Sequence, residues 1–245
     1  MPENGRPVQS KVRRPPPEPE SIDLTILYED DCLMAIDKPA GMVVHPTYRN
    51  WSGTLLNALL HHVRECAVEP SVEPSIVTRL DKDTSGIVIV ALGPEIHARI
   101  QGDAVAGRVQ KQYLAIVRGT PAPASGSIAL PLARSAADRR LVVVDEGGQR
   151  CETRYELVSG PARRPLHPEL ALVRCELLTG RTHQIRVHLA ARGWPIVGDR
   201  VYGEPHEGIG RQALHAWRVT LPHPISRAPL TIEAPLPEDL RSLIA

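Results

Sequence analysis

The stretch Ile76–Ala91, IVTRLDKDTSGIVIVA, constrains this chain more than any other. Apolar, β-branched residues on both sides predict two strands, and the polar segment between them predicts a loop. That loop holds Asp81 and Asp83 beside Arg79. Charged groups held between buried strands are costly unless they are paired or used. On composition alone a surface hairpin with a solvated tip is the simpler interpretation, so the other segments of the chain must decide.

Short apolar segments separated by turn residues predict an α+β fold with a mixed, mostly antiparallel sheet. Strands are predicted at Leu24–Tyr28, Leu33–Asp37, Met42–Val44, Ile76–Val77, Ile87–Val90, Gln110–Arg118, Ser127–Leu132, Arg140–Val144, Arg150–Val158, Leu170–Leu178, Leu214–Leu221 and Leu230–Glu233. Helices are predicted at Thr54–Val63, at Pro94–Gly102, from an N-cap at Thr182 to Gly193, and at Pro237–Ile244. Asp145–Gly148 predicts a hairpin turn between its two flanking strands.

Composition limits the class of protein. Residues 1–20 are rich in proline and charge and predict a disordered basic tail, whereas residues 21–245 predict one domain with a substantial core. The net charge of +1 neither supports nor excludes a polyanion partner. No apolar run reaches the ~18 residues of a membrane span, and no signal-peptide core is seen, so we expect a cytoplasmic protein. Four widely spaced cysteines disfavour a zinc site or a disulfide framework.

A second polar cluster lies at Gly180–His188, GRTHQIRVH, where a strand pattern gives way to a helix pattern. Residues 160–200 carry seven arginines against three acidic residues. Backbone N–H groups and the dipole of a helix start can bind anions, which makes this segment a candidate polyanion site. A helix with a basic solvated face explains such a run equally well. Tyr113, in a predicted strand, would by itself be an ordinary sheet residue.

Several of these segments resemble the signature blocks of a known family. TRLDKDTSG, KQYLAIVRG and LLTGRTHQIRVHLAARGWPIVGDRVYG are similar to three blocks of the RluA-type pseudouridine synthases, and ILYEDDCLMAIDKPAGMVVHP and LHAWRVTLPHPIS resemble the opening and closing blocks. The similarity runs in order from about residue 24 to 240. It implies the pseudouridine synthase fold, with short helices around a central cleft. It also implies an isomerase that converts uridine to pseudouridine in structured RNA by an aspartate nucleophile and base flipping, without cofactor or metal.

The resemblance also assigns roles to residues. It makes Asp81 a buried catalytic nucleophile that is held ionised by Arg186, and Tyr113 a residue that stacks on the uracil and is a candidate base for the C5 proton. Arg79 matches an arginine that assists RNA binding and base flipping. The full set of candidate RNA-binding residues is Lys38, Arg79, Arg181, Thr182, His183 and Gln184. Asp83 becomes a structural carboxylate.

Two departures from the family pattern are visible. Thr78 stands where the family usually has histidine, which affects a supporting hydrogen bond rather than the activity. Many relatives carry an N-terminal RNA-binding module, and we expect this chain to lack one. We expect a monomer that acts on 23S ribosomal RNA, with transfer RNA as the alternative substrate.

Two other classes of function compete with this interpretation. The first is a non-catalytic RNA-binding or ribosome-assembly factor on the same fold, which an intact set of Asp81, Tyr113 and Arg186 disfavours. The second is a hydrolase of the glycosidase type that uses Asp81 and Asp83. Two carboxylates two residues apart on one loop do not ensure the separation that such an enzyme needs across the scissile bond. The synthase interpretation requires Asp81 and Arg186 to lie within salt-bridge distance on the floor of a basic cleft.

Overall fold

The computed structural model describes residues 15–48, 50–66, 73–159 and 169–244, and within these ranges the chain forms twelve strands and four helices. The strands are β1 (Ile26–Glu29), β2 (Leu33–Lys38), β3 (Pro74–Ile76), β4 (Ser85–Leu92), β5 (Gln110–Arg118), β6 (Ser125–Ile128), β7 (Leu132–Arg134), β8 (Val142–Val144), β9 (Thr153–Ser159), β10 (Leu170–Leu177), β11 (Leu214–Pro222) and β12 (Pro229–Glu233). The helices are α1 (Leu55–Cys66), α2 (Pro94–Val105), α3 (Gln184–Ala191) and α4 (Glu238–Ile244).

Ten of the described strands form one sheet. Eight run in the order β1-β2-β4-β11-β5-β10-β9-β6, with β3 also paired to β4 and β12 to β11. The pairing of β4 with β11 is parallel, and the other pairings of this sheet are antiparallel. β7 and β8 form a separate hairpin. The expected α+β fold with a mixed, mostly antiparallel sheet is confirmed.

Strand β4 is buried on both of its faces. Successive side chains of a strand point to opposite sides, so Val88 and Val90 pack with α1 on one face, while Ile87 and Ile89 pack with Ile100 of α2 on the other. Burying each such side chain fully stabilises the fold by roughly 1.5–3 kcal/mol. The loop that precedes β4 is therefore attached to a strand that is packed on both faces.

Gly86 allows β4 to lie against β11. The parallel pairing places Ser85 opposite His215 and Gly86 opposite Ala216. Gly86 has a φ of +109°, and a Cβ built on it would lie 2.3 Å from the Ala216 carbonyl oxygen, so no side chain fits there. The Ser85 hydroxyl and His215 Nδ1 are 2.9 Å apart, which adds a side-chain bond to the same junction.

The strand predicted at Met42–Val44 is wrong. This segment is irregular, and the carbonyl oxygens of Val43 and Val44 accept the N–H groups of Leu55 and Leu56 at 2.9 and 3.1 Å. The first N–H groups of a helix have no partner within the helix. The segment therefore caps α1 instead of extending the sheet.

Two predictions in the middle of the chain are also wrong. The strand predicted at Ser127–Leu132 is divided, because β6 ends at Ile128 and β7 begins at Leu132 and pairs with β8. Pro131, between them, has no N–H to donate to a sheet. The turn at Asp145–Gly148 exists, with a 2.9 Å bond from the Gly148 N–H to the Asp145 carbonyl, but β8 pairs with β7 and not with β9.

Part of the predicted tail contacts the domain. Asn57 Nδ2 donates to the Glu18 carbonyl at 2.7 Å, and the Glu20 carboxylate accepts the Gly53 N–H at 2.9 Å. These bonds hold the chain against the start of α1 before the expected domain boundary at residue 21. The prediction of disorder for residues 1–14 lies outside the described residues.

Candidate active site

Two adjoining cavities of about 490 and about 860 Å³ share Asp81, His183 and Arg186 in their walls. We call the larger one the basic cleft. Its described cationic lining residues are Arg79, Lys82, Lys111, Arg134, Arg181 and Arg186. Asp81 is the one carboxylate among the described residues that line it. Such a wall attracts a polyanion, while the single acid is placed against a guanidinium.

Arg186 connects two aspartates at the junction of the cavities. Its Nη1 donates to Asp81 Oδ2 at 2.8 Å, and its Nε and Nη2 donate to the two carboxylate oxygens of Asp199 at 2.7 and 2.9 Å. The expected salt bridge between Asp81 and Arg186, which are 105 residues apart, is confirmed. Asp81 is not buried as predicted, since 26% of its side chain is exposed. This exposure leaves the carboxylate accessible from the cavities.

Asp199 was missed by sequence reasoning. It lies in the GDRVYG segment, where a lone aspartate after a glycine gives no sign that it reaches an arginine 13 residues earlier. Burial alone would raise the pKa of Asp199, but hydrogen bonds from Arg186 lower it below its ordinary value. Burial would likewise lower the pKa of the Arg186 guanidinium, and its bonds to Asp199 and Asp81 hold that pKa above its ordinary value. Arg186 is therefore a fixed cation whose orientation Asp199 determines.

Lys38, on β2, fastens the loop that carries Asp81. Its Nζ donates to the carbonyl oxygens of Pro39, Met42 and Lys82 at 2.7, 3.0 and 3.0 Å, and its exposed fraction is 0%. Burial lowers the pKa of Lys38 to about 8. An ammonium whose three donors are all used inside the protein does not reach the basic cleft. Lys38 therefore lies away from the RNA-binding position that was expected for it.

Thr78 holds the other side of the same loop. Its Oγ1 accepts the Ile89 N–H at 2.9 Å. After Asp81 and Asp83 in the chain, Thr84 Oγ1 accepts a hydrogen bond from Gln212 Nε2 at 3.2 Å, and both residues are buried. The Thr78 hydroxyl thus anchors the loop to β4.

His183 is the N-cap residue of α3, with a left-handed φ of 56°. The prediction that Thr182 caps this helix is therefore wrong, and His183 makes no side-chain cap bond. His183 Nδ1 lies 2.7 Å from the Tyr202 hydroxyl, and Nε2 lies 3.8 Å from Asp81 Oδ2. Burial lowers the pKa of His183, which favours the neutral ring near pH 7. The tautomer with the proton on Nε2 turns a donor, not a lone pair, toward the carboxylate.

Tyr113, on β5, lines the same cleft and is 8% exposed. Burial, followed by the negative charge of Asp81, raises the pKa of Tyr113 far above its usual value. The phenol stays protonated at neutral pH. Proton acceptance by the hydroxyl is therefore disfavoured.

Three of the predicted RNA-binding residues lie at the surface of the basic cleft. Arg79, Arg181 and Thr182 are exposed and line it. With His183 they form two groups, one on the loop that carries Asp81 and one just before α3. These side chains can reach a ligand in the cleft without a change in the fold.

Gln184 has a different environment, since it is 2% exposed. Its Oε1 accepts from Thr179 Oγ1 and the Arg181 N–H at 2.9 and 3.0 Å, and its Nε2 donates to the Glu152 carbonyl and Thr153 Oγ1 at 2.9 and 3.0 Å. The amide is fully used inside the protein. Gln184 fixes the turn before α3 and, like Lys38, has no polar group left for a ligand.

One group of potential metal ligands lies outside both cavities. The ligand atoms of Asp30, Cys32 and His223 lie within 4.8 Å of one another. His223 Nδ1 accepts the N–H groups of Ile225 and Ser226, so the ring proton is on Nε2, which is 2.7 Å from Asp30 Oδ2. Asp30 Oδ1 accepts the Cys32 N–H and Sγ–H at 2.9 and 3.2 Å. A metal ion would have to break these bonds, so we assign the group to joining two turns.

The sequence profile of the RNA pseudouridylate synthase family matches residues 32–191, a range that includes Asp81, Tyr113 and Arg186. The chain belongs to this family. A Zymomonas mobilis protein named ribosomal large subunit pseudouridine synthase D is 40% identical over 92% of the chain and 73% of its own length. A Nitrosomonas europaea protein of the same name is 42% identical over 92% of the chain, which spans 65% of that relative's length.

A solved structure supports the fold independently. Human RNA pseudouridylate synthase domain containing 4 superimposes with a TM-score of 0.73 and 24% sequence identity, covering 89% of this chain and 91% of that chain. At that identity the likeness concerns the fold alone. The expected pseudouridine synthase fold is confirmed. Within the described residues no helix has both the length and the apolar character needed to cross a membrane.

Proposed function

We propose that this protein isomerises uridine to pseudouridine in RNA of the large ribosomal subunit, with Asp81 as the nucleophile. The observation that carries the proposal is the position of Asp81 as the one carboxylate among the described lining residues of the basic cleft, bonded to a fixed arginine. A carboxylate paired with a guanidinium stays ionised, which a nucleophile requires. The names of the bacterial relatives supply the ribosomal substrate. A cytoplasmic monomer is part of the same proposal.

The reaction breaks the N1–C1′ glycosidic bond, turns the uracil, and forms a C5–C1′ bond. The C5 proton is lost and N1 gains a proton, so the conversion is an isomerisation. Asp81 supplies the covalent bond that retains the intermediate, and Arg186 holds the carboxylate in place. The 26% exposure of the Asp81 side chain gives a flipped base access to it. Extruding that base costs roughly a few kcal/mol, and least in loops and bulges.

Tyr113 has the role of stacking on the flipped uracil in this proposal. Its protonated, largely buried ring is suited to hold a planar base beside Asp81. The raised pKa disfavours the alternative role of Tyr113 as the acceptor of the C5 proton. His183, whose Nε2 lies 3.8 Å from Asp81, is placed to donate a hydrogen bond to a polar edge of the base.

The remaining candidates divide into two roles. Arg79, Arg181 and Thr182 contact the RNA, since they are exposed on the wall of the basic cleft. Lys38 and Gln184 are positioning residues, because their polar groups are used to hold the loop of Asp81 and the turn before α3. RNA binds along the cationic wall of the basic cleft. Lys38 and Gln184 hold Asp81 and Arg186 in their relative positions.

The test is tritium release from RNA that contains 5-tritiated uridine. Unmodified 23S ribosomal RNA and bulk transfer RNA are incubated separately with wild-type protein, with Asp81→Asn and with Asp83→Asn. We expect release from 23S RNA by wild type and by Asp83→Asn, and none by Asp81→Asn. Release from transfer RNA alone would refute the ribosomal substrate. Wild-type protein that binds RNA but releases no tritium from either RNA would favour a non-catalytic RNA-binding factor.

A further inference from the structure

Lys111 is one of the cationic residues that line the basic cleft. It is two residues before Tyr113 on β5, and residues i and i+2 of a strand face the same side. The two side chains are therefore about 7 Å apart along the strand. Lys111 Nζ lies beside the turn before α3, where a Cβ on Gly180 would be 3.4 Å away. Gly180 has no side chain that would occupy the space next to the ammonium.

The ammonium of Lys111 has no partner among the described residues. No hydrogen bond or ion pair joins it to the rest of the described chain, although the side chain is partly buried. Asp81, the one described carboxylate of the cleft, is bonded to Arg186 instead. Burial alone lowers the pKa of Lys111, and no neighbouring carboxylate opposes that shift. A partly buried cation without a partner is costly to keep, and a bound anion would remove that cost.

We propose that Lys111 binds a phosphate of the RNA backbone next to the flipped uridine. This inference rests on the proposed function and extends it to one residue. The position fits a backbone phosphate, since Lys111 lies on the same face of β5 as Tyr113 and about 7 Å along the strand from it, and the Nζ has no protein anion to bind among the described residues. Arg134 and Arg181, on the same cleft, extend the cationic path for the strand beyond Lys111.

Salt dependence separates a phosphate contact from a structural role. Each phosphate that a protein neutralises contributes about 0.7 to 0.9 to the slope of log K against log salt. Binding of an unmodified 23S transcript is measured between about 50 and 200 mM salt in an Asp81→Asn background, which prevents turnover. Lys111→Met should lose about 0.7 to 0.9 of the slope and weaken binding roughly tenfold or more. Lys111→Arg should retain the slope.

The matched control is Arg118→Met, at the opposite end of the same strand. Arg118 is exposed, pairs with Glu169 at 3.5 Å, and lies outside both cavities. This variant should keep the wild-type slope. The melting temperature of Lys111→Met should not fall, because an apolar side chain replaces an unpaired, partly buried cation.

The inference is overturned if Lys111→Met keeps the full slope, if Arg118→Met loses as much, or if Lys111→Met melts several degrees lower. Tritium release by wild-type protein is measured in parallel. Its absence would refute the proposed function while the slope still tests the phosphate contact. Normal release with an unchanged slope in Lys111→Met would refute the phosphate contact alone.

Discussion

Asp81 and Asp199 share the guanidinium of Arg186, and we expect removal of Asp199 to be the more damaging to stability and removal of Asp81 to be the more damaging to activity. Asp199 is 1% exposed and accepts bonds from Arg186 Nε and Nη2 and from the N–H groups of Val201 and Tyr202. Asp81 is 26% exposed and accepts one bond from Arg186. One aspartate is part of the folded framework, and the other is presented to the cavities.

The magnitudes follow from this asymmetry. Asp199→Ala leaves a buried guanidinium short of its main partner and should destabilise the protein by about 3–5 kcal/mol. Asp81→Ala removes a partly exposed partner, while the fork to Asp199 remains, and should cost about 1 kcal/mol or less. For a chain of this size the free energy of unfolding falls by roughly 3 kcal/mol per molar urea. The urea midpoint should therefore fall by about 1–1.7 M in Asp199→Ala and by at most about 0.3 M in Asp81→Ala.

The assay is urea unfolding followed by tryptophan fluorescence and by far-ultraviolet circular dichroism, whose transitions should coincide. Asp239→Ala is the matched control, because Arg211 forks to Asp239 at 2.7 and 2.9 Å in the same manner, but the Asp239 carboxylate is 43% exposed and Arg211 keeps three backbone acceptors. Removal of the Asp239 carboxylate should lower the free energy of unfolding by about 1 kcal/mol or less. Equal losses for Asp81→Ala and Asp199→Ala would refute the asymmetry.

Activity should reverse the order. Asp81→Asn should abolish tritium release, whereas Asp199→Asn, which keeps the side-chain volume, should lower kcat by roughly a hundredfold through a displaced Arg186. A folded Asp199→Asn protein with wild-type kcat would refute the idea that Asp199 positions the arginine. An active Asp81→Asn protein would refute the nucleophile itself.

Three further predictions concern the framework. Lys38→Met should destabilise the protein by about 2–4 kcal/mol in urea unfolding and reduce tritium release, because three backbone carbonyls lose the donor that joins them, whereas Lys82→Met, which changes an exposed side chain, should cost under about 0.5 kcal/mol. Gly86→Ala should cost about 3 kcal/mol or more by the same measurement, against about 1 kcal/mol for Gly41→Ala, whose positive φ has open space around it, so equal losses would refute the clash. Hydrogen bonds from Arg227 and Arg108 lower the pKa of Asp103 to about 2. On acidification the unfolded state therefore binds this proton before the folded state does, and stability is lost as the pH falls from about 4 to 2. Asp103→Asn should flatten that part of an acid titration of stability followed by circular dichroism.

The sequence predicted the main strands and helices because their signal is local. The alternation in Gln110–Arg118 and the apolar run at Ile87–Val90 each specify a strand without reference to partners. The Met42–Val44 segment has the same local signal, but its carbonyl oxygens bond to the start of α1. No property of three apolar residues indicates which N–H groups they will meet, so this error could not be avoided from the sequence.

The same distinction between local signals and contacts of distant segments applies to the candidate site. The pairing of Asp81 with Arg186 was predicted through the family resemblance, since both residues lie in distinctive blocks. Asp199 and Tyr202 lie in one of these blocks too, but their contacts depend on how the segment after α3 folds back. The burial of Lys38 and Gln184 could not be predicted from the sequence either. A polar side chain in a charged segment is expected to be exposed unless its hydrogen-bond partners within the protein are known.

The parallel pairing of β4 with β11 has a consequence for the order in which the protein is made. β4 and β5 follow one another in the chain, yet β11 lies between them in the sheet. A nascent chain that has not yet released β11 from the ribosome therefore exposes the facing edges of both strands, with their backbone groups unpaired. Asp81 would at that stage already be synthesised but not yet braced from the β11 side. We expect the active site to form late in synthesis, in one step with the insertion of β11.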